Sequence, residues 1–370
     1  MTGAVTQMHS LTLRGAPVPE PLPSIPAPCA RHAEKYTGTT IRRLHELHDV
    51  FRPRVAARGV PHEFVIEVTS RCNLYCPMCP REVSTTVGNK DMEMETFHRA
   101  LERVRDVASF IWMAGLGEPM MNKHFLTMVK EVKQAGIAVG ASTNGTFLTD
   151  KWQDRLLDSG LDLLIVSFDG ADKETYEKVR IGANFDKVCA NVQRFAARKA
   201  ERRADKPWLI LQMIELRQTQ GQAQQFRDMW DIPGVDAVRI KKDELQFADD
   251  LAFDGQRKRD TARTCPFLWR GTALIQWDGA FSPCCYGIAD KSFGNLAEQS
   301  VAELWNSPRL QGLRAVHLAG RGKEEPFCRN CNAFQPGKVP MALSVLVPSL
   351  TQKKHAGVVE TLNRWVRFMD

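Results

Sequence analysis

The chain has 370 residues, of which 43% are hydrophobic and 25% charged, as in an ordinary soluble globular protein with room for two or three domains. Its net charge of +7 is only mildly basic, and no dense Lys/Arg stripe alternates with aromatic residues, so nucleic-acid binding is not favoured. We find no secretory signal and no uncharged run near the ~20 residues of a membrane span, and therefore expect a cytoplasmic protein. Ten cysteines in such a chain indicate metal ligation, not disulfides.

The first 60 residues form a predicted N-terminal extension. Six prolines up to Pro28 predict an extended or disordered segment. Helical spacing then predicts a helix between Thr39 and Ala57, packed on the outside of the core, from the apolar residues Ile41, Leu44, Leu47, Val50 and Phe51.

Strand and helix patterns alternate from residue 61 to about residue 245. The predicted strands are Phe64–Val68, Phe110–Ala114, Ile137–Ser142, Leu163–Phe168, Leu209–Glu215 and Ala237–Lys241. The predicted helices are Met94–Val107, Lys123–Ala135, Asp150–Ser159, Lys173–Arg180, Phe185–Ala200 and Gly221–Trp230. Such alternation predicts an α/β fold, a parallel sheet with its helices outside, in fewer units than the eight of a closed barrel.

Three cysteines follow the first predicted strand: Cys72, Cys76 and Cys79, spaced C-x3-C-x2-C. They therefore lie in a loop at the carboxyl end of a strand, where α/β folds place their chemistry. Three close thiolates without a fourth suit a cubane iron–sulfur cluster that leaves one iron open. Zinc is the alternative, although it usually takes a fourth local ligand from a second pair of Cys or His residues.

This spacing after a first strand resembles the signature of the radical S-adenosylmethionine (SAM) superfamily. The resemblance implies a partial (β/α)6 barrel and a 4Fe–4S cluster on the three cysteines, with the amine and carboxylate of SAM on the open iron. It also implies the reaction. One electron, from an external donor such as flavodoxin or ferredoxin, cleaves SAM to methionine and a 5′-deoxyadenosyl radical, which abstracts a hydrogen atom from a substrate.

Further motifs of that family follow the next three predicted strands in the expected order. A glycine–glutamate motif spans residues 115–119, a Ser-Thr-Asn-Gly sequence spans residues 142–145, and a Ser-Phe-Asp-Gly sequence spans residues 167–170. The resemblance assigns six residues to SAM: Gly117 and Glu118 at the ammonium, Asn144 near the site, Ser167 and Asp169 at the ribose hydroxyls, and Arg180 at the carboxylate.

A second group of cysteines follows a charged linker and comprises Cys265, Cys284, Cys328 and Cys331. Asp278 and Gly279 form a two-residue hairpin signal, which we expect to bring Cys284 back beside Cys265. The pattern resembles the SPASM/twitch extension of radical SAM enzymes, in the short form that holds one auxiliary 4Fe–4S cluster. A structural zinc site is the alternative. Cys285 is an alternative ligand to Cys284, because neighbours on a strand face opposite ways.

We therefore expect four regions along the chain. They are the extension at residues 1–60, the radical SAM core at residues 61–245, the auxiliary cluster domain at residues 262–335, and a tail with a short amphipathic helix at residues 336–370.

Alternation along the strands predicts polar side chains inside the barrel, because the outward faces must be apolar to carry the helices. Glu67, Gln212, Arg239 and Lys241 point inward by this pattern. Polar groups inside a barrel need partners. Either they form a buried ion pair, such as Glu67 with Arg239, or they bind SAM and a small substrate that carries a carboxylate or phosphate.

Several functions fit these motifs. The resemblance to the aminocyclitol dehydrogenase type favours oxidation of a small sugar-like or aminocyclitol-like alcohol, with the auxiliary cluster as electron acceptor and Glu67 or Lys241 as the base. Similar enzymes epimerise a sugar carbon, and others modify a peptide, although residues 1–60 look too short and too rich in proline to recognise one. A non-catalytic iron–sulfur or zinc module would need neither an open iron nor SAM motifs. The sequence does not name the substrate.

Overall fold

A computed structural model describes residues 39–81, 88–241, 264–285, 293–326, 328–329 and 331. The proline-rich segment and the predicted tail helix lie outside these ranges. The strands are β1 Glu63–Ile66, β2 Phe110–Met113, β3 Ala138–Thr143, β4 Leu163–Ser167, β5 Trp208–Ile214, β6 Ala237–Lys241, β7 Ala273–Ile275 and β8 Phe281–Ser282. The helices are α1 Thr39–Phe51, α2 Met94–Val104, α3 Phe125–Gln134, α4 Asp150–Leu157, α5 Lys173–Val179, α6 Phe185–Glu201, α7 Ala223–Met229, α8 Phe267–Arg270, α9 Val301–Trp305 and α10 Pro308–Leu318.

The strands form one sheet in the order β6-β5-β4-β3-β2-β1-β7-β8. Strands β1 to β6 are parallel and lie beside their sequence neighbours, which confirms the predicted α/β arrangement of six units. The C-terminal hairpin extends this sheet, which the sequence analysis did not predict. Strand β7 runs parallel to β1, with Phe64 opposite Ala273, and β8 returns antiparallel to β7. A parallel pair needs a long crossover, and the rest of the core provides it.

One face of the sheet forms the hydrophobic core with the surrounding helices. Side chains such as Ile66, Met113, Leu164 and Met213 point to this face and are fully buried. Helices α5, α6, α9 and α10 begin at a capping residue, whose side-chain oxygen binds a backbone N–H that has no partner within the helix. Asp172, for example, accepts a hydrogen bond from Thr175 N at 2.8 Å where α5 begins.

The other face of the sheet lines the lumen of the partial barrel. Gly140 lies beneath the rings of Phe110 and Trp112, and an added Cβ there would come within 2.9 Å of both rings. The lumen near the amino ends of the strands is therefore apolar and tightly packed. Nearer the carboxyl ends of the strands the same face becomes polar, as strand alternation and register show. The polar positions on it are Ser142, Ser167, Gln212, Arg239 and Lys241.

The segment that carries α1 is joined to the C-terminal part of the chain. Trp269 Nε1 donates a hydrogen bond to Arg54 O at 2.7 Å, and the Asn306 side chain bonds both the N–H and the C=O of Ala57. The predicted helix is present, and it contacts α8. Among the described residues, no helix is both long and apolar enough to span a membrane.

Candidate active site

The three cysteines of the first motif lie in the loop after β1, as predicted. Cys79 N donates a hydrogen bond to Cys76 O at 2.9 Å, which tightens the loop into a turn. Cys76 is buried in a small apolar cluster with Leu74 and Met78, and Cys72 and Cys79 pack against this cluster. The local spacing is thus sufficient to bring the three thiols together.

The surroundings of these thiols suit a bound metal cluster. Burial raises the pKa of Cys76 to about 11 and also raises the pKa of Cys79. Metal ligands bind as thiolates, so this apolar pocket needs added positive charge, which bound iron provides. Within the described ranges, no three His, Cys, Asp or Glu side chains are spaced to hold a single metal ion. The ligands of a cubane stand farther apart, because each binds a different iron.

Glu118 connects the loop after β2 to the loop after β3. Its carboxylate is buried and accepts hydrogen bonds from Thr143 Oγ1 at 2.9 Å and from Asn144 N at 2.7 Å. Burial raises its pKa to about 7, and these hydrogen bonds oppose that shift only in part. The Asn144 amide Nδ2 lies 3.9 Å from Cys72 Sγ and 3.0 Å from Asn73 Oδ1. The two motifs therefore meet the cysteine loop, and their contacts with SAM stay predictions.

Gly117 explains how closely these loops pack. A Cβ at this position would lie 2.2 Å from Thr69 O and 2.7 Å from Arg71 O. The neighbouring Glu118 N donates to Arg71 O at 2.8 Å. Only glycine allows the backbone of the β2 loop to approach the cysteine loop this closely.

The residues predicted at the ribose and carboxylate of SAM differ in their surroundings. Ser167 is partly exposed on the lumen face, with its hydroxyl 3.4 Å from that of Ser142. Asp169 is fully buried: one oxygen accepts from Ile214 N at 2.7 Å and the other pairs with Arg180 Nη2 at 2.5 Å. Arg180 Nη1 also lies 3.8 Å from Cys76 Sγ. The proposed SAM contacts of these three residues stay predictions, and the Asp169–Arg180 pair was not foreseen.

Glu67 points away from the core, as predicted, but its carboxylate has a structural task. Oε1 accepts a hydrogen bond from Leu116 N at 3.0 Å, and Oε2 accepts one from Trp277 N at 3.4 Å. The residue is 2% exposed, and a Cβ at Gly115 would lie 2.6 Å from its Cγ. Glu67 therefore ties the β2 loop and the hairpin turn to β1. The backbone partners of Glu67 could not be predicted from the sequence, although Gly115, beside the motif, indicates a close approach there.

Two amide side chains on the lumen face each have one buried atom without a hydrogen-bond partner among the described residues. Among the residues that the structure describes, Gln212 Oε1 has no hydrogen-bond donor and Gln276 Nε2 has no acceptor. Gln212 lies between Ser167 and Arg239 in the register of β4, β5 and β6. Gln276, directly after β7, was missed, and a glutamine within an apolar hairpin strand was the available signal. Buried amides of this kind are positioned to bind a ligand.

The second group of cysteines lies in the C-terminal part of the chain. Cys265, Cys284 and Cys328 are buried and Cys331 is partly exposed, with Cys331 N bonded to Cys328 O at 3.1 Å. Because β8 runs antiparallel to β7, the chain reaches Cys284 at the amino end of β7. Cys285 is also partly exposed, and the choice between it and Cys284 stays open.

Comparison with known families identifies both regions. Residues 66–207 match the radical SAM superfamily, and residues 265–332 match SPASM, an iron–sulfur cluster-binding domain. The chain is a radical SAM enzyme with a SPASM domain. A radical SAM domain implies SAM and a 4Fe–4S cluster, and a SPASM domain implies auxiliary iron–sulfur clusters. The residues present fit these groups at both places.

The sequence identity to three individual proteins is 30% or lower. The chain is 26% identical over 314 residues to a "tungsten-containing aldehyde ferredoxin oxidoreductase cofactor-modifying protein" of Pyrococcus furiosus, covering 72% of this chain and 86% of that protein. It is 30% identical over 201 residues to pre-heme d1 synthase of Dinoroseobacter shibae, covering 52% of this chain and 46% of that protein. The structure of Streptococcus suis SuiB with precursor peptide SuiA has a TM-score of 0.54 at 13% identity, covers 76% of this chain and 73% of that chain, and shows likeness of fold alone.

Proposed function

We propose that this radical SAM enzyme oxidises a small polar molecule, with an alcohol carbon as the site of hydrogen abstraction. The observation that carries this proposal is the placement of the two cysteine sites at opposite ends of one lumen. Cys72, Cys76 and Cys79 follow the carboxyl end of β1, whereas the hairpin brings Cys284 to the amino end of the neighbouring β7. A substrate in the lumen would lie between them.

The two ends of the lumen, with their cysteine sites, are separated by little more than the length of one short strand. Strand β1 has four residues, and at about 3.3 Å per residue it spans on the order of 13 Å. Gly271, between α8 and β7, packs against Pro61 at the amino end of β1, since an added Cβ would lie 2.7 Å from Pro61 Cβ. Cys265 comes just before α8, on the same side.

When bound, the first cluster with SAM would supply a 5′-deoxyadenosyl radical, and the auxiliary cluster would supply an acceptor for the electron that an oxidation releases. The chain has to hold the substrate and accept its hydroxyl proton. Both oxygens of Glu67 already bind backbone N–H groups. Lys241, the other base predicted from the sequence, lies on the lumen face at the end of β6 and would have to be uncharged to accept the proton.

The lumen face supports a polar, anionic substrate. Its polar end offers the hydroxyls of Ser142 and Ser167, the amide of Gln212 and the guanidinium of Arg239. Arg239 is exposed on this face, so its guanidinium is accessible to a ligand. A guanidinium binds carboxylate or phosphate groups in two-point contacts.

The test is the fate of hydrogen during turnover. Candidate alcohols, deuterated at the carbinol carbon, are incubated anaerobically with reconstituted enzyme, SAM and dithionite. We expect oxidised product and 5′-deoxyadenosine in a ratio of one to one, with one deuterium retained in 5′-deoxyadenosine. Deuterium in recovered SAM would show that SAM is regenerated, which contradicts an oxidation of this kind. Solvent hydrogen at the same carbon of an unoxidised product would instead identify an epimerase.

A second candidate function is modification of a larger substrate, and the relatives support it. The Pyrococcus furiosus protein, of which 86% is covered, is named for modification of a cofactor, and PqqA peptide cyclases match about one third of the chain. Assays with peptide and with cofactor precursors distinguish this function. Consumption of SAM that depends on such a precursor, and on no small alcohol, would favour it.

A further inference from the structure

Asp169 and Arg180 form a buried ion pair beside the first cysteine loop. The carboxylate of Asp169 is fully buried, and its contact with Arg180 Nη2 is 2.5 Å long. Its other oxygen accepts a hydrogen bond from Ile214 N at 2.7 Å, at the carboxyl end of β5. The pair thus joins the loop after β4 to the end of α5 and to β5.

The same guanidinium is directed at a thiol of the cysteine loop. Arg180 Nη1 lies 3.8 Å from Cys76 Sγ, and the Arg180 side chain is only 11% exposed. The guanidinium of an arginine stays protonated in proteins, whatever its surroundings. The guanidinium is therefore a permanent positive charge against the sulfur, held at one angle by Asp169.

We propose that the Asp169–Arg180 pair sets the reduction potential of the cluster held by Cys76. The inference rests on the proposed assignment of Cys76 as a cluster ligand. Hydrogen bonds to the sulfurs and nearby charge both tune the potential of an iron–sulfur cluster. Reduction adds one negative charge, so a cation at the sulfur favours the reduced state. Asp169 positions this cation and offsets part of its charge.

The two members of the pair therefore have opposite effects, which a purely structural role would not produce. Arg180→Gln removes the cation, and we expect the midpoint potential to become more negative. Asp169→Asn keeps a similar shape and removes the anion, and we expect the potential to become less negative. Arg180→Lys keeps the charge without the planar two-point geometry, so its shift should be smaller than that of Arg180→Gln.

Lys178→Gln is the matched control. Lys178 lies on the same helix and also carries a positive charge, but it is exposed and pairs with Glu174 across one helical turn at 2.7 Å. Solvent screens such a charge, so the potential should stay at the parent value.

The experiment is an anaerobic redox titration of the full, reconstituted chain without SAM, followed by low-temperature electron paramagnetic resonance. The signal of the auxiliary site is taken from the variant in which Cys72, Cys76 and Cys79 are all Ala, and is subtracted. Shifts of opposite sign in the Arg180→Gln and Asp169→Asn variants would support the inference. Loading of iron in each variant is measured alongside, and the Arg180→Lys and Asp169→Asn variants provide the test if Arg180→Gln fails to fold.

Two results would overturn the inference, and they can be told apart from failure of the proposed function. Unchanged potentials in both variants, with weaker SAM binding in Arg180→Gln, would show that Arg180 binds SAM and does not set the potential. Shifts of the same sign would show that the pair acts only by supporting the structure of the cysteine loop. A subtracted signal of zero in the parent protein would instead show that the three cysteines hold no cluster, which defeats the functional assignment itself.

Discussion

The two cysteine sites are built in different ways. At the first, three thiols come from one loop of eight residues, and the side chains of Asn144, after β3, and of Arg180, at the end of α5, contact it. At the second, the cysteines are spread from residue 265 to residue 331 and are positioned by a hairpin and a C-terminal helix. The first site depends on local spacing, and the second depends on how the sheet is completed.

This difference bears on how each site responds to change. The thiols of the first loop are contacted by the polar side chains of Asn144 and Arg180, so substitution of either side chain should alter chemistry more than folding. The second site shares its hydrophobic core with the barrel, since Cys265 and Cys328 belong to the main core cluster. Substitutions there should affect stability as well as cluster binding.

The largest expected effect comes from removing the first site. Replacing Cys72, Cys76 and Cys79 together with Ala should abolish formation of 5′-deoxyadenosine, because no open iron remains to bind SAM. The parent should contain about eight irons and the variant about four, as expected for two cubane clusters and for one. Chromatography of the nucleoside products and metal analysis provide the measurements. Undiminished cleavage of SAM in the variant would disprove the assignment.

Removing the second site should separate cleavage from oxidation. With Cys265 and Cys284 replaced by Ala, we expect some SAM cleavage to persist while oxidised product is lost, since the electron has no acceptor. Iron should fall to about four per chain. One zinc per parent chain, in place of the second set of irons, would make the second site structural and remove the argument for an oxidation.

Most of the core could be predicted from the sequence because its signals are local. The six strands of the barrel lie within one or two residues of their predicted bounds, since buried apolar segments alternate with amphipathic ones. The pairing of β7 with β1 could not be predicted, because residues 64 and 273 are far apart and β7 has only three residues. The direction of so short a strand follows from tertiary packing, not from its own pattern.

The site shows the same limit. The residue types at the motifs were predictable from their order after the strands, whereas their partners were not. Glu67 accepts hydrogen bonds from two backbone N–H groups of distant loops, and Asp169 pairs with Arg180 at the far end of α5. Almost every residue has a backbone N–H, so residue type does not show which N–H groups act as donors. The sequence pattern therefore predicts a carboxylate in the lumen but not the groups that it binds.

The next largest effect concerns packing around the first site. Gly117→Ala would place a Cβ 2.2 Å from Thr69 O, and we expect a loss of about 3 kcal/mol in the free energy of unfolding. The clash is with backbone, so a rotamer change cannot relieve it. Urea unfolding of the anaerobic protein is the measurement. A loss below about 1 kcal/mol would mean that the two loops can separate without cost.

A pH effect of similar size is expected from Glu118. Burial raises its pKa to about 7, so the folded chain holds a proton that the unfolded chain releases above its ordinary value. The contribution of Glu118 to stability should therefore be fully present below its ordinary pKa and be lost as the pH rises through 7, by on the order of 3 kcal/mol. Glu118→Gln should lack this part of the slope. The check is urea unfolding of both proteins between pH 5 and 8, and equal slopes would contradict the expectation.

The smallest effect distinguishes the second region from the first. Helix α10 was not predicted, and Gly312 in its interior explains why, because glycine lowers helical propensity. An added Cβ at Gly312 meets no atom within 4 Å, so Gly312→Ala should stabilise the chain by about 0.5–1 kcal/mol. Cleavage of SAM should not change. The same chemical change, Gly to Ala, thus destabilises one region and stabilises the other, and thermal unfolding of Gly117→Ala and Gly312→Ala side by side tests that contrast. If both variants unfolded at a lower temperature than the parent, helical propensity would not determine the effect of Gly312→Ala, and the contrast between the two regions would be wrong.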